Sequence, residues 1–214
     1  MLFSLLIIST WILLVLSTAV ICRRQWPQRR ELSRKIVHIG TGPVIALAWW
    51  LEIPESIAVT VAAAITLITA INHRWKLLPA VEDVDRHSYG TVAYGLATTM
   101  LLALFWLDQA IAACAGVLVM AFADGFAGLV GRGVKSPSWT FWQQHKSVAG
   151  TMTMALVTAL VLIVLVLASQ SPLHPLRLFA VSALAVGLEQ LSRWGIDNLS
   201  VPLSVGLCWS WMVI

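Results

Sequence analysis

The stretch AACAGVLVMAFADGFAGLVGRGVK, residues 112–135, decides the fold class and points to the site. An apolar, small-residue run ends in the carboxylate of Asp124, followed by glycines at 125, 128, 131 and 133. A charge buried in a membrane span costs up to ~3 kcal/mol on insertion scales, so its presence needs a reason. On a helix, Ala121, Asp124, Gly128 and Gly131 share one face, and a groove of small residues leads to the carboxylate. Such a groove serves tight helix packing. Alternatively, it lets the carboxylate face a protein-lined cavity and hold a cation.

The rest of the chain agrees that this run lies in a membrane. Of 214 residues, 59% are hydrophobic and 11% charged, and the mean hydropathy is +0.85. Apolar runs near the ~20 residues needed to cross a bilayer recur with short connections. Helices are predicted at about 2–21, 35–51, 55–71, 91–107, 109–131, 147–168, 177–192 and 199–214. The expected fold is an all-α transmembrane bundle of seven or eight spans, a single domain over 1–214. The first run has no positive charge before it, whereas Arg23, Arg24, Arg29 and Arg30 follow it. This is the reverse of a cleaved signal and predicts a retained span with its amino end outside. Threaded from there, the inner loops and their helix ends hold 13 of the 14 Lys and Arg residues, all except Arg177. That asymmetry is what the positive-inside rule demands.

Several classes are excluded. Cys22, Cys114 and Cys208 are far apart and form no C-x-x-C pair, so neither a disulfide framework nor a zinc site is indicated. A net charge of +4 without a basic, aromatic-interleaved stripe gives no nucleic-acid partner. GLVGRGVKS falls short of a phosphate loop, because Val134 separates Gly133 from Lys135 and no strand precedes it. The tryptophans near predicted span ends are interfacial anchors.

Four further stretches carry polar groups to the same predicted membrane face. In ELSRKIVHIGTGP (31–43), Arg34, His38 and Thr41 lie at i, i+4 and i+7, and Gly40, Gly42 and Pro43 interrupt the helix there. Non-helical backbone at that depth lines a cavity or is buried in protein. In HKSVAGTM (145–152), Ser147 is a helix cap beside Lys146, and a helix amino end receives anions. In EQLSRWGIDNLSVP (189–202), Glu189 and Arg193 are spaced as an i, i+4 ion pair. Asp197 and Asn198 there stand at a helix start, where capping would explain either. VEDVDRHSYG (81–90) adds Arg86, Ser88 and Tyr89. Carboxylates, cations and a phosphate-accepting helix start on one face are the parts of phosphoryl or nucleotidyl transfer. A transporter would place them near mid-bilayer.

In RKIVHIGTG, ADGFAGLVGRGVK, HKSVAGTM and DNLSVP, in that order over residues 31–205, the sequence resembles the membrane prenol kinase family. That family includes phytol kinase, dolichol kinase and the CTP-dependent diacylglycerol kinases. ADGFAGLVGR followed by KSVAG looks like the phytol kinases, and RKIVHIGTGPVIALAWWLEIP like their short cyanobacterial relatives. Two positions depart from the pattern. Ala123 stands where a Gly usually precedes the Asp, and Ala149 where many dolichol and diacylglycerol kinases have Glu. The second favours the phytol-like branch.

The resemblance implies CTP as phosphate donor, Mg²⁺ or another divalent cation, and a long-chain isoprenoid alcohol such as phytol as acceptor. It implies a multi-pass enzyme in a plasma or thylakoid membrane, working at the cytoplasmic face. Asp124, His38 and Lys146 would be catalytic, and Asp124, with Asp197 or Glu189, would hold the metal. The nucleotide would meet Arg34, Lys35, Arg86, Gly128, Arg132, Lys146, Ser147, Gly150 and Asn198. His38 or a metal-bound carboxylate would take the alcohol proton. The rival within the resemblance is a phosphatidate cytidylyltransferase, which also uses CTP but joins CMP to a lipid phosphate.

Overall fold

The computed structural model describes residues 1–75, 77, 88–142 and 144–214. Among them are nine α-helices: α1 (Leu2–Gln25), α2 (Arg30–Thr41), α3 (Pro43–Trp50), α4 (Glu55–Trp75), α5 (Gly90–Leu118), α6 (Gly125–Gly133), α7 (Val148–Ala168), α8 (Pro175–Leu191) and α9 (Asp197–Val213). A π segment, Val119–Asp124, joins α5 to α6. A two-stranded antiparallel hairpin, β1 (Ser138–Phe141) with β2 (Gln144–Ser147), joins α6 to α7. The all-α expectation holds for the bundle, and this hairpin is an addition to it.

The predicted helix at 35–51 is divided where Gly42 and Pro43 foretold. Pro43 has no N–H to continue the ladder and sits at the first turn of α3, a position that tolerates it. The joint is bridged by shorter-range bonds, Gly42 N to Ile39 O and Ile45 N to Gly42 O, each 3.3 Å. Gly42 is required there by close approach, since a Cβ on it would lie 2.4 Å from the Ala121 Cβ of the π segment.

α5 reverses direction at Gln109, whose backbone (φ −147°, ψ 52°) is non-helical. A Cβ on Gly116 would lie 2.8 Å from Leu101 Cδ1, although fifteen residues of straight helix would separate these positions by ~22 Å. The predicted break between 107 and 109 is therefore a tight hairpin. Its second limb, from Ala112 through the π segment, forms the centre of the core, where Ala112–Ala115 and Val119–Ala121 are fully buried. α9 crosses it closely, with the Pro202 carbonyl where a Cβ on Gly116 would be. Small residues permit such approach in membrane bundles.

Among the described residues, four helical stretches are long and apolar enough to cross a membrane: Leu2–Gln25, Glu55–Trp75, Gly90–Gly133 and Val148–Ala168. The third contains the reversal at Gln109 and is 78% buried over its most apolar window, against 17%, 6% and 28% for the others. The central hairpin is thus enclosed by helices with apolar outer faces. α8 and α9, at 17 residues each, are at the short end of the membrane-spanning range of ~17–25 residues.

Candidate active site

Each polar stretch picked out above, so far as it is described, ends at one cavity of ≈ 600 Å³. Around it gather the first half of α2, the residues before α5, the length of α6, strand β2, the start of α7, the end of α8 and the start of α9.

Asp124 closes the π segment, a wider turn that is frequent at functional sites. Its Oδ2 lies 2.6 Å from Lys35 Nζ and 3.3 Å from His38 Nε2. α2 can approach this closely because Gly125 and Gly128 carry no side chains. A Cβ at 125 would lie 2.3 Å from Ile39 Cγ1, and one at 128 would lie 2.8 Å from Lys35 Cε. The small-residue groove therefore serves both readings: it packs against α2, and it opens Asp124, Gly128 and Gly131 to the cavity.

Across the cavity Lys146 pairs with Glu189 and donates to the Glu189 carbonyl at 2.9 Å. This corrects the predicted Glu189–Arg193 pair. Helix α8 ends at Leu191, so Arg193 leaves the helical spacing, and its guanidinium stacks 4.0 Å from the Trp194 ring centroid and 5.1 Å from that of Trp142. Asp197 is freed from capping by Ser192, whose Oγ accepts from the Asp197 N–H at 2.8 Å. Asn198 Nδ2 donates to Gly195 O and to Asp197 Oδ1, both at 3.3 Å. Gly195 holds φ +83°, and a Cβ on it would lie 2.7 Å from Gly90 Cα. That turn needs glycine, and it delivers Asp197 and Asn198 to the cavity wall.

One carboxylate oxygen from each of Asp124, Glu189 and Asp197 lies within 4.8 Å of the other two. All three residues face the cavity. Hard oxygen donors at this spacing fit a Mg²⁺-type cation, which binds proteins through one or two carboxylates and completes its shell with water and phosphate.

Ser147 caps α7 as expected, accepting from Gly150 N at 3.2 Å and donating to Gly131 O at 3.2 Å. The helix start is not an open set of donors, however. The Val148 N–H goes to Pro137 O and the Ala149 N–H to Ser136 Oγ. A phosphate there would meet the partial positive charge of the helix end rather than these three N–H groups.

Arg34, Lys35, Arg132, Lys146, Ser147, Gly150 and Asn198 all line the cavity. His38 does not. It lies behind Asp124, 8% exposed, with Met120 O 3.1 Å from the same Nε2 that faces the carboxylate. Arg86 falls outside the described residues.

Several cavity residues escaped the sequence reading. Glu31 takes Arg34 at 2.9 and 3.1 Å and Arg132 at 3.4 Å, and its i, i+3 spacing to Arg34 was a visible signal. Gln190 Nε2 bridges Glu189 Oε2 at 2.8 Å and Thr151 Oγ1 at 2.9 Å. That bridge depends on how α7 and α8 pack and leaves no local trace in the sequence.

Among known proteins, the chain is 39% identical over 203 residues to a phytol kinase of Synechocystis sp., covering 93% of this chain and 87% of that one. The chain belongs to the phytol kinase family. Two plant relatives extend the likeness, "Probable phytol kinase 2, chloroplastic" of Glycine max and "Probable phytol kinase, chloroplastic" of Zea mays. Each is 26% identical over 83% of this chain, which covers 64% and 65% of their respective lengths. No protein-family model and no solved structure matches. In this phytol kinase relative the three carboxylates come from segments more than sixty residues apart at their ends, 124 against 189 and 197, and only the fold unites them.

Proposed function

We propose that the chain is a phytol kinase that moves the γ-phosphoryl group of CTP onto the hydroxyl of phytol or a related prenol. The reading rests above all on one observation: three carboxylates converge within 4.8 Å in a cavity that is also walled by lysine and arginine. The family supplies the kinase class, and CTP as donor is what the resemblance of the sequence motifs implies.

Asp124, Glu189 and Asp197 would hold the divalent cation. When bound, it would neutralise charge on the transferring phosphoryl group and help keep the attacking and leaving oxygens in line. Arg34, Arg132, Lys35 and Lys146 supply positive charge for the phosphates, as does the α7 helix end. The alcohol oxygen forms its bond to the γ-phosphorus as the bond to the β–γ bridging oxygen breaks. We assign the alcohol proton to Asp197, the carboxylate of the three that no lysine engages among the described residues.

His38 is then a positioning residue. Both groups facing its Nε2, Asp124 Oδ2 and Met120 O, are acceptors, so that nitrogen carries a proton and donates.

In this reading the bundle spans the membrane seven or eight times with the amino terminus outside and the cavity at the cytoplasmic face. The acceptor's apolar tail lies among the helices while its hydroxyl meets the nucleotide.

The test is label position. Purified protein in detergent, given phytol and CTP labelled at the γ-phosphate, should yield labelled phytyl phosphate, whereas α-labelled CTP should leave the lipid unlabelled. Transfer of α-label would make the protein a cytidylyltransferase instead.

A further inference from the structure

Two lysines repeat one arrangement on two different carboxylates. Lys35 Nζ lies 2.6 Å from Asp124 Oδ2 and donates to the Asp124 carbonyl at 3.0 Å. Lys146 contacts the Glu189 carboxylate and donates to the Glu189 carbonyl at 2.9 Å. That carbonyl lies in the last turn of α8, where it also accepts from the Ser192 N–H at 3.4 Å and the helix dipole favours a cation. Each ammonium is thus held by two oxygens of one residue. Both are nearly closed to water, with the Lys35 and Lys146 side chains 4% and 9% exposed.

The same two carboxylates belong to the cluster of three that fits a divalent cation. A cation arriving alone would have to displace an ammonium and leave it beside a like charge in a poorly hydrated site. A nucleotide arriving alone would draw the lysines away and leave bare carboxylates facing its phosphates. When both arrive, each group has a partner: oxygens on the metal, ammoniums on the phosphates.

Lysine suits this exchange because its charge sits on a flexible four-carbon stem. Gly128 leaves the space for it, since a Cβ there would press within 2.8 Å of Lys35 Cε.

We propose that Lys35 and Lys146 are resident counter-ions of the carboxylate cluster and pass to the nucleotide's phosphates when a divalent cation takes the carboxylates. Cation and nucleotide therefore bind as a strongly coupled pair, each raising the affinity for the other by the same factor. The inference takes from the kinase reading only the identity of the anion.

Mn²⁺ binding followed by electron paramagnetic resonance on the full chain in detergent tests it. Saturating CTP should tighten Mn²⁺ binding to the wild type at least tenfold, and this gain should shrink in Lys35→Met and Lys146→Met, which separates it from chelation of Mn²⁺ by CTP itself. Without nucleotide, Lys146→Met and Lys35→Met should each bind Mn²⁺ at least tenfold more tightly than the wild type. Glu189→Gln should do the reverse, binding Mn²⁺ more weakly and, in EDTA, binding CTP more tightly because Lys146 is released. Mn²⁺ affinity in the wild type that does not respond to CTP would overturn the proposal, as would unchanged or weaker Mn²⁺ binding in a folded lysine variant. Either lysine variant suffices alone, so failure of one to fold does not remove the test. Absence of labelled phytyl phosphate alongside intact Mn²⁺–CTP coupling would sink the kinase reading and leave this one standing.

Discussion

His38 shows how a side chain's neighbours decide its role. Its Nε2 points at two acceptors and its ring packs against Tyr94, centroids 4.7 Å apart, so the imidazole is fixed as a donor beneath Asp124. Residues that orient a metal-binding carboxylate typically matter by 10–100-fold. We therefore expect His38→Leu to lower kcat by about 10–100-fold, and His38→Gln, whose amide can also donate, to recover most of the loss. Equal loss in both variants would argue for proton transfer through the imidazole. Gly195 is the second decisive residue. With φ +83° and the Gly90 backbone 2.7 Å from any added Cβ, Gly195→Ala meets both strain and a clash. It should displace Asp197 from the cluster and reduce Mn²⁺ binding measured with CTP present.

The elements show which parts of the fold were legible. Breaks at Gly42–Pro43 and near Asp108–Gln109 could be read from the chain because glycine, proline and polar residues interrupt otherwise apolar helices. The π segment could not, since nothing in VMAFAD distinguishes a π turn from an α turn until α2 and α7 pack on either side. The hairpin 138–147 was equally hidden, its strands being four residues each and exposed along β1. The partner of Glu189 was misread for a related reason. The i, i+4 rule assumes that the helix continues to Arg193, and α8 stops short of it.

Packing at the α2–α3 joint gives a prediction at this scale. Gly42→Ala should destabilise the protein by about 1–3 kcal/mol through overpacking against Ala121. Adding Ala121→Gly should restore most of the thermal stability, because the 2.4 Å contact is between these two positions. Failure of the double variant to recover would mean that the joint tolerates no change for another reason.

At the scale of the whole molecule, the described polar stretches gather around one cavity, and the long apolar helices outside the central hairpin leave much of their surface exposed. The described stretches that carry Lys35, Arg132 and Lys146 meet at the cavity, as the charge asymmetry of the loops foretold. That these stretches share one cavity is what the sequence led one to expect, while the lysine–carboxylate pairing within it required coordinates. In the proposed topology Lys135 lies inside and Gln170 outside. In chains lacking Cys22, Cys114 and Cys208, a membrane-impermeant maleimide applied to intact cells should label Gln170→Cys and spare Lys135→Cys. The opposite pattern would invert the topology and put the cavity on the wrong face for a cytoplasmic nucleotide.

If the three converging carboxylates form the reacting centre, removing any one charge should all but abolish transfer. The measurement is the initial rate of phytyl phosphate formation from CTP and phytol by purified Asp124→Asn, Glu189→Gln and Asp197→Asn variants, each shown to be folded by its elution volume and melting profile. We expect the wild type to form phytyl phosphate and each folded variant to be slowed by at least a hundredfold. Wild-type rates in any one of them would remove that carboxylate from the centre, and wild-type rates in all three would place the chemistry elsewhere in the protein.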